Sequence, residues 1–238
     1  MTPDEFLAEL DYLREAYLSM GIPFYPLPGN HDSLPVVGGW TDFERIWELE
    51  PGIGQTIDAP NARLVLLNTH GHNQGQIDTA QDGDPVYGWV NDAELARLEE
   101  ALATAGDRPV LIFCHQLLKC WSNGQGWRAF YEVRNGPGVL AVMERYGNVR
   151  AVFQGHAHRF DVQAMPMAGR ECTYVVLPSL IEYPLAWLRL DISKDNVRMR
   201  LIRLPLADLA NKSRASGAGQ SWRAGRPEWW DHVIPLAS

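Results

Sequence analysis

The sequence predicts a mixed α/β fold with two packed sheets, and two patterns lead to that prediction. Up to residue 158, segments with helical spacing of apolar side chains alternate with short apolar runs. From residue 159 onward, short segments alternate apolar and polar residues between turns, which is typical of antiparallel strands. We therefore expect one main domain over residues 1–204. Residues 205–238, rich in Ala, Ser, Gly and Trp, are expected to pack on this domain or extend it.

The helices are predicted from their start signals and apolar spacing. Thr2-Pro3-Asp4-Glu5 combines a capping residue, a proline in the first turn and two acids at the positive end of the helix dipole. Apolar residues then recur at helical spacing until Gly21, which ends the run. Further helices are predicted at residues 43–49, 91–105 and 137–146, the second of them capped by Asn91.

The strands are predicted where short apolar runs or alternating segments end in turn signals. Buried strands are expected at residues 22–27, 63–68, 109–114 and 149–154. Antiparallel strands are expected at residues 159–165, 172–177, 185–192 and 196–203. Residues 70–90 and 116–135 are predicted to be long loops, and long ordered loops commonly carry function.

Composition and charge exclude several classes of protein. The 238 residues carry a formal charge of −8, which disfavours wrapping of nucleic acid or binding to an anionic membrane, since both need a basic surface. The three cysteines form no CxxC pair, so a disulfide framework is not expected. The N-terminus lacks the pattern of a signal peptide, and no apolar run is long enough to span a membrane. The sequence therefore predicts a cytoplasmic protein.

Potential metal ligands follow three of the predicted buried strands. These groups are Gly29-Asn30-His31-Asp32, then His115, and then Gly155-His156-Ala157-His158. The carboxyl ends of strands in α/β folds are where ligands bind, because the loops converge there. One histidine after a strand is more often a surface or capping residue, but the ordered set of three groups indicates a metal site. Imidazole and amide oxygen suit ions such as Mn, Fe, Zn or Co.

This ordered set resembles the calcineurin-like metallophosphoesterases, and the resemblance extends over nearly the whole chain. It implies a two-sheet α/β sandwich flanked by helices, with a two-metal site at the sheet edges. By that likeness Asn30, His115 and His156 would bind one metal, and His158 would bind the other. His31 would donate a proton to the leaving group, and Asp32 would hold His31 in place.

The chain departs from the family at its N-terminal side. Members carry Asp-x-His and Gly-Asp-x-x-Asp before Gly-Asn-His-Asp, but here one predicted helix and one predicted strand fill that space, so the first strands are missing. We therefore expect one metal per chain, or two if other residues replace the missing carboxylates. The candidates for that replacement are His70, His72, Asp78, Asp82 and Asp84, whose simpler interpretation is as solvated loop residues.

The resemblance leads to a functional expectation with two alternatives. The favoured one is a metal-dependent hydrolase that cleaves small-molecule phosphate mono- or diesters with metal-activated water. The alternatives are a non-catalytic relative that binds a metal or a partner, and a fragment of a longer phosphoesterase whose reading frame starts upstream. Missing strands would leave open sheet edges, so a homodimer is expected, with or without exchanged elements.

Overall fold

The structure is a computed structural model, and it describes residues 2–32, 41–81, 87–121, 131–216 and 219–236. The helices are α1 (Pro3–Ser19), α2 (Asp42–Ile46), α3 (Gln74–Gln81), α4 (Asp92–Ala103), α5 (Gly136–Tyr146) and α6 (Ala207–Ala215). The strands are β1 (Gln55–Asp58), β2 (Arg63–Leu66), β3 (Val110–Cys114), β4 (Val149–Gln154), β5 (Asp161–Met167), β6 (Arg170–Val176), β7 (Ala186–Ile192), β8 (Asn196–Arg203) and β9 (Asp231–Pro235).

Within the described residues the strands form two sheets. One has six strands in the order β1-β2-β3-β4-β6-β5, and the other has three in the order β7-β8-β9. β6 pairs parallel with β4 but antiparallel with β5, whereas β8 pairs antiparallel with both β7 and β9. The mixed α/β fold with two sheets that the sequence predicted is confirmed.

The chain divides into two compact units. Unit 1 comprises Met1–Thr56, Val65–Ala101 and Cys114–Ala141, and unit 2 comprises Ile57–Leu64, Leu102–Phe113 and Val142–Ser238. The predicted domain boundary at residue 204 stays a prediction. None of the helices within the described residues is long and apolar enough to cross a membrane.

Unit 1 combines a small apolar cluster with a buried carboxylate. Helices α1 and α2 bury Phe6, Leu10, Phe43 and Ile46 together. Elsewhere in the unit, the fully buried Glu94 accepts hydrogen bonds from the backbone N–H groups of Gly54 and Asn68 and from the guanidinium of Arg97. The carboxylate thereby joins the start of α4 to the residues that follow β2.

Unit 2 holds a larger apolar core between its strands. Buried members of this core include Phe153, Val175, Met199 and Ile234, which come from β4, β6, β8 and β9. Core residues from the same strand are two positions apart, as Ala151 and Phe153 or Val197 and Met199 are, so one face of the strand enters this core. Three of these four strands were predicted from sequence, and β9 was not.

The largest difference from the sequence prediction lies at residues 22–28, which form no strand. The segment carries Pro23, Pro26 and Pro28, and proline has no N–H to donate to a strand ladder. Ile22 is 60% exposed, so the segment is not buried along its length either. The predicted loop at 70–90 also contains a helix, α3, and the strands β1 and β9 were not predicted.

Candidate metal centre

The loop Gly29-Asn30-His31-Asp32 is closed by hydrogen bonds between its ends. The backbone N–H of Gly29 donates to Oδ2 of Asp32 at 2.8 Å, and the N–H of Asp32 donates to the carbonyl of Gly29 at 3.1 Å. Asn30 is buried between them, whereas His31 is exposed. The turn therefore places an amide oxygen inward and an imidazole at the surface.

Asn30 lies against His115, and the family resemblance implies that these two residues bind one metal. The Nε2 atom of His115 lies 2.8 Å from Oδ1 of Asn30, and its N–H can donate to that oxygen. His115 directly follows β3, and Cys114 before it is buried, which raises the pKa of its thiol to about 12. Cys114 is thus kept as a thiol, in agreement with its interpretation as a strand residue.

The His115 ring packs directly against the backbone of Gly29. A Cβ atom at residue 29 would lie 2.8 Å from Cε1 and 2.9 Å from Nδ1 of His115, closer than carbon atoms pack. The ring can occupy this place only because residue 29 has no side chain. Gly29 therefore belongs to the local geometry of the candidate site as a spacer.

The pair formed by Asn30 and His115 fits a divalent metal. Ligands about 2.1 Å from a metal and at right angles to each other lie roughly 3 Å apart. The observed 2.8 Å separation of the two donor atoms is close to that value. An imidazole nitrogen and an amide oxygen are also donors that Zn, Mn, Fe and Co accept. A cation could therefore replace the shared proton with little movement of either side chain.

Asp32 is the carboxylate of this loop, and its environment sets its charge. Burial raises the pKa of Asp32 above its ordinary value, while the Gly29 N–H and the nearby His31 act in the opposite direction. The carboxylate of Asp32 accepts the N–H of Gly29 and thereby closes the loop. The resemblance implies that Asp32 holds His31 in place, and closing the loop is how it would do so.

The two histidines after β4 occupy an unusual backbone conformation. His156 has a φ of 63° and His158 a φ of 48°, a left-handed region that costs residues other than glycine roughly 1–2 kcal/mol. His156 is buried, and His158 is partly exposed. Strained backbone of this kind is concentrated at functional sites, where the surrounding structure imposes it.

A carboxylate orients His158. The Nδ1 atom of His158 lies 2.8 Å from Oε2 of Glu182, and the same oxygen lies 2.7 Å from Nη1 of Arg223. Nη1 of Arg223 also donates to the backbone carbonyl of His158 at 2.9 Å. Because an ionised carboxylate only accepts, Nδ1 carries a proton, and a neutral His158 ring then keeps its lone pair on Nε2.

Sequence reasoning missed Glu182 and Arg223. Asp161 lies close to the histidine pair along the chain, but in the structure it forms a buried ion pair with Arg159. Glu182 and Arg223 are 24 and 65 residues from His158 along the chain, and no local spacing connects them. The segment around Glu182 could be singled out only as part of the family likeness.

The candidate replacements for the missing carboxylates have mixed positions. His70 and Glu44 are fully buried, and Nε2 of His72 lies 3.2 Å from Oε1 of Glu44. The interpretation of His70 as a solvated loop residue is therefore wrong. Asp78 is exposed and accepts a hydrogen bond from Gln74. The predictions on residues 82 and 84 lie outside the described residues.

The described part of the chain contains no group of three or more His, Cys, Asp or Glu side chains that could hold a metal ion. The structure brings the predicted ligands together as a pair in unit 1, Asn30 with His115. In unit 2 it pairs His158 with Glu182.

Comparisons with known proteins give matches to one enzyme family. A family model described as calcineurin-like phosphoesterase matches residues 2–160. The glycerophosphodiester phosphodiesterase GpdQ of Enterobacter lignolyticus is 28% identical over 173 residues, which cover 73% of this chain and 57% of that protein. The 3′,5′-cyclic adenosine monophosphate phosphodiesterase CpdA of Pseudomonas aeruginosa is 26% identical over 169 residues, covering 70% and 55%. The chain thus spans little more than half the length of these relatives.

A solved structure shares the fold. The crystal structure of a dimetal phosphatase from Danio rerio superposes with a TM-score of 0.62 at 17% sequence identity. The match covers 98% of this chain and 79% of the phosphatase. This likeness confirms the sandwich architecture that the sequence motifs implied.

Proposed function

The chain belongs to the calcineurin-like phosphoesterase family, as its motifs predicted, and we propose that it is a metal-dependent hydrolase of small phosphate esters. The observation that carries this proposal is the pair of donor atoms on Asn30 and His115, which lie 2.8 Å apart; Asn30 is on the loop that Asp32 closes, and His115 follows β3. Two of its relatives are named as phosphodiesterases, which favours a diester over a monoester as the substrate.

We propose that Asn30, His115 and His156 hold one divalent ion and that His158 contributes to a second. The Asn30 and His115 donors have the separation of neighbouring metal ligands, and His158 has its Nε2 lone pair available because Glu182 binds the proton on Nδ1. That the four residues form a common centre rests on the family motif. A bound ion of this kind would activate water and polarise the phosphoryl oxygens. Mn, Fe, Zn or Co, as one ion or two per chain, are all compatible with these donors.

The chain's own residues supply the remaining chemistry in this proposal. His31 is exposed at the tip of the Gly29–Asp32 turn, where its imidazolium can donate a proton to the leaving oxygen of the ester. Asp32 keeps this turn closed by accepting the Gly29 N–H, and the closed turn holds His31 in place. Asn30, buried beside the exposed histidine, fixes the inner side of the turn.

A non-catalytic relative remains the second candidate. One observation favours it, namely that the described residues contain no three-membered group of His, Cys, Asp and Glu around a possible ion. Measurements of bound metal and turnover on the intact chain distinguish the two candidates.

The test measures bound metal and turnover together. Metal content per chain would be determined by mass spectrometry after loading with Mn²⁺ and desalting. Hydrolysis of bis(p-nitrophenyl) phosphate and p-nitrophenyl phosphate would be followed for the wild type and for His31→Ala, His115→Ala and His232→Ala. His232 lies on β9, outside the proposed site, and is the matched control.

We expect His115→Ala to lose metal and turnover, His31→Ala to lose turnover while keeping metal, and His232→Ala to keep both. Bound metal without turnover above the His31→Ala level would identify the non-catalytic relative. Absence of bound metal in the wild type would end both the hydrolase and the metal-binding proposals.

We also propose that the protein forms a homodimer and resides in the cytoplasm. The outer side of β7 ends the three-stranded sheet within the described residues, and Leu180, Ile181 and Trp187 around it are 47%, 80% and 45% exposed. An open edge with apolar neighbours favours pairing with a second chain. Size-exclusion chromatography with light scattering should give the mass of two chains, and the mass of one would contradict the proposal.

A further inference from the structure

A polar pocket of about 660 Å³ lies in unit 2, apart from the histidines that follow β4. Its walls come from residues at the beginnings of β3, β4 and β6 and from the turn between β7 and β8. A volume between about 300 and 1,000 Å³ is typical of sites for small molecules. The pocket is therefore large enough for a ligand the size of a nucleotide.

Arg150 is a buried cation in the wall of this pocket. Arg150 is 8% exposed, and its guanidinium donates to the backbone carbonyls of Gly147, Val149 and Leu236, at 3.0, 3.4 and 3.2 Å. Among the described residues no carboxylate pairs with it. Burying a charge without a counter-charge is costly, so a bound anion would be stabilised here.

Two further cations line the same pocket. Arg170 and Lys194 are exposed, and neither forms an ion pair within the described part of the chain. Repulsion by Arg170 adds to the burial that lowers the pKa of Arg150, so the two guanidinium groups are close enough to interact. The positive charge here contrasts with the net charge of −8 of the whole chain.

The other charges of the pocket do not cancel this cluster. Arg108 also lines it, but Arg108 is neutralised by Asp58, whose Oδ1 lies 2.6 Å from its Nη1. Asp107 and Asp195 are exposed acids at the wall. Cations still outnumber acids in the lining, and the most deeply buried charge is the positive one.

The pocket is separate from the candidate metal centre in unit 2. Arg150 is the second residue of β4 and Gln154 is its last, and a strand rises about 3.3 Å per residue, which separates them by roughly 13 Å. His156 and His158 follow beyond that end. A ligand at Arg150 would therefore not reach the residues proposed to hold the metal on this strand.

We propose that this pocket binds a small phosphorylated molecule as a second ligand of the protein, with its phosphate at Arg150, Arg170 and Lys194. A phosphate monoester carries close to two negative charges and three acceptor oxygens, so it can interact with three cations. A ligand with a single carboxylate has only one negative charge and two oxygens. Nε and Nη1 of Arg150 donate to backbone carbonyls, which leaves Nη2 to donate to a phosphate oxygen. The ring of Tyr146 and the side chain of Pro109 offer an apolar wall to the organic part.

The test is isothermal titration of the full chain with AMP and with adenosine. AMP is expected to bind the wild type, and adenosine, which lacks the phosphate, at least about tenfold more weakly. The double variant Arg170→Gln/Lys194→Gln changes two exposed residues and should also weaken AMP binding about tenfold or more. The variant Lys212→Gln/Arg214→Gln removes the same charges from α6, outside the pocket, and should bind like the wild type.

Two more variants separate the pocket from the metal centre and from effects on folding. His115→Ala should keep AMP binding, because the pocket does not use that residue. Arg150→Lys keeps the charge but loses the planar guanidinium, and with a circular dichroism spectrum like that of the wild type it should bind AMP more weakly than the wild type. The proposal is overturned if the wild type fails to bind AMP at millimolar concentration, or if adenosine binds as well as AMP. It is also overturned if Arg170→Gln/Lys194→Gln has no effect or if His115→Ala abolishes binding.

Discussion

Replacing Glu182 with glutamine is expected to weaken metal binding about tenfold while leaving the fold intact. The carboxylate accepts the Nδ1 proton of His158 at 2.8 Å, which leaves Nε2 available as a ligand. Glutamine has the same shape, but its amide can present either N–H or C=O to the ring. It therefore no longer specifies which nitrogen of His158 carries the proton.

The magnitude follows from the exposure of the pair. Loss of a carboxylate that orients a metal-binding histidine typically costs about 10–100-fold in metal affinity. The side chains of His158 and Glu182 are 35% and 32% exposed, so solvent screens their interaction. The expected loss is therefore at the lower end, about tenfold, or ~1.4 kcal/mol.

The assay is the Mn²⁺ concentration that gives half-maximal hydrolysis of bis(p-nitrophenyl) phosphate, together with a calorimetric titration of the metal-free chain. Glu171→Gln is the matched control, because Glu171 is an exposed carboxylate on β6 in the same unit. Thermal unfolding should be similar for both variants. Equal Mn²⁺ dependence of Glu182→Gln, Glu171→Gln and the wild type would refute the assigned orientation of His158.

Three further changes test the local geometry. Gly29→Ala should displace the His115 ring, since the new Cβ would lie 2.8 Å from it, and should lower bound metal at least tenfold; Gly138→Ala, which meets no atom within 4 Å, should leave metal content unchanged. In urea titrations, the unfolding free energy of His158→Gly should exceed that of His158→Ala by about 1 kcal/mol, because glycine tolerates a φ of 48°. Equal unfolding free energies would contradict the strain at this position. Burial is the largest influence on Glu44 and raises its pKa. Hydrogen bonds from His72 and from the backbone N–H groups of Glu44 and Gly52, together with the charge of His72, outweigh burial, so the pKa of Glu44 lies below its ordinary value. Its stabilisation is then complete above about pH 4.3 and is lost as the pH falls through the lower native pKa. The difference in unfolding free energy between wild type and Glu44→Gln should therefore stay constant above about pH 4.3 and shrink as the pH falls below it. A difference that stays constant throughout the acid range would exclude this contribution.

Local signals predicted those elements whose stabilising interactions are local. The Asn91 side chain accepts the N–H of Glu94 at 2.8 Å, as a helix cap should, and β4 spans the residues 149–154 that its apolar run indicated. The segment 22–28 has the same apolar character, but its prolines cannot complete a ladder. Hydrophobicity alone could not distinguish these two segments, because the difference lies in backbone hydrogen-bonding capacity.

The candidate site could be predicted only as far as its motifs extend. Asn30 and His115 are 85 residues apart, yet each follows a recognisable turn or strand, and the structure brings their donor atoms together. His70 was interpreted as a loop residue, but it is fully buried, with Nε2 3.2 Å from Nε2 of Gln116. Burial of a polar side chain depends on partners distant in sequence, and a single sequence does not specify them.

The residues that hold His158 in its strained conformation come from beyond the part of the chain that the family model matches. That match ends at residue 160, whereas Glu182 and Arg223 bind the ring and the backbone carbonyl of His158. The carbonyl of Arg223 also accepts the N–H of Phe160 at 2.8 Å, so this arginine binds residues on both sides of Arg159. A left-handed histidine is stable only when its surroundings supply the energy it costs. The C-terminal tail, through Arg223, is therefore a structural part of the candidate site in unit 2.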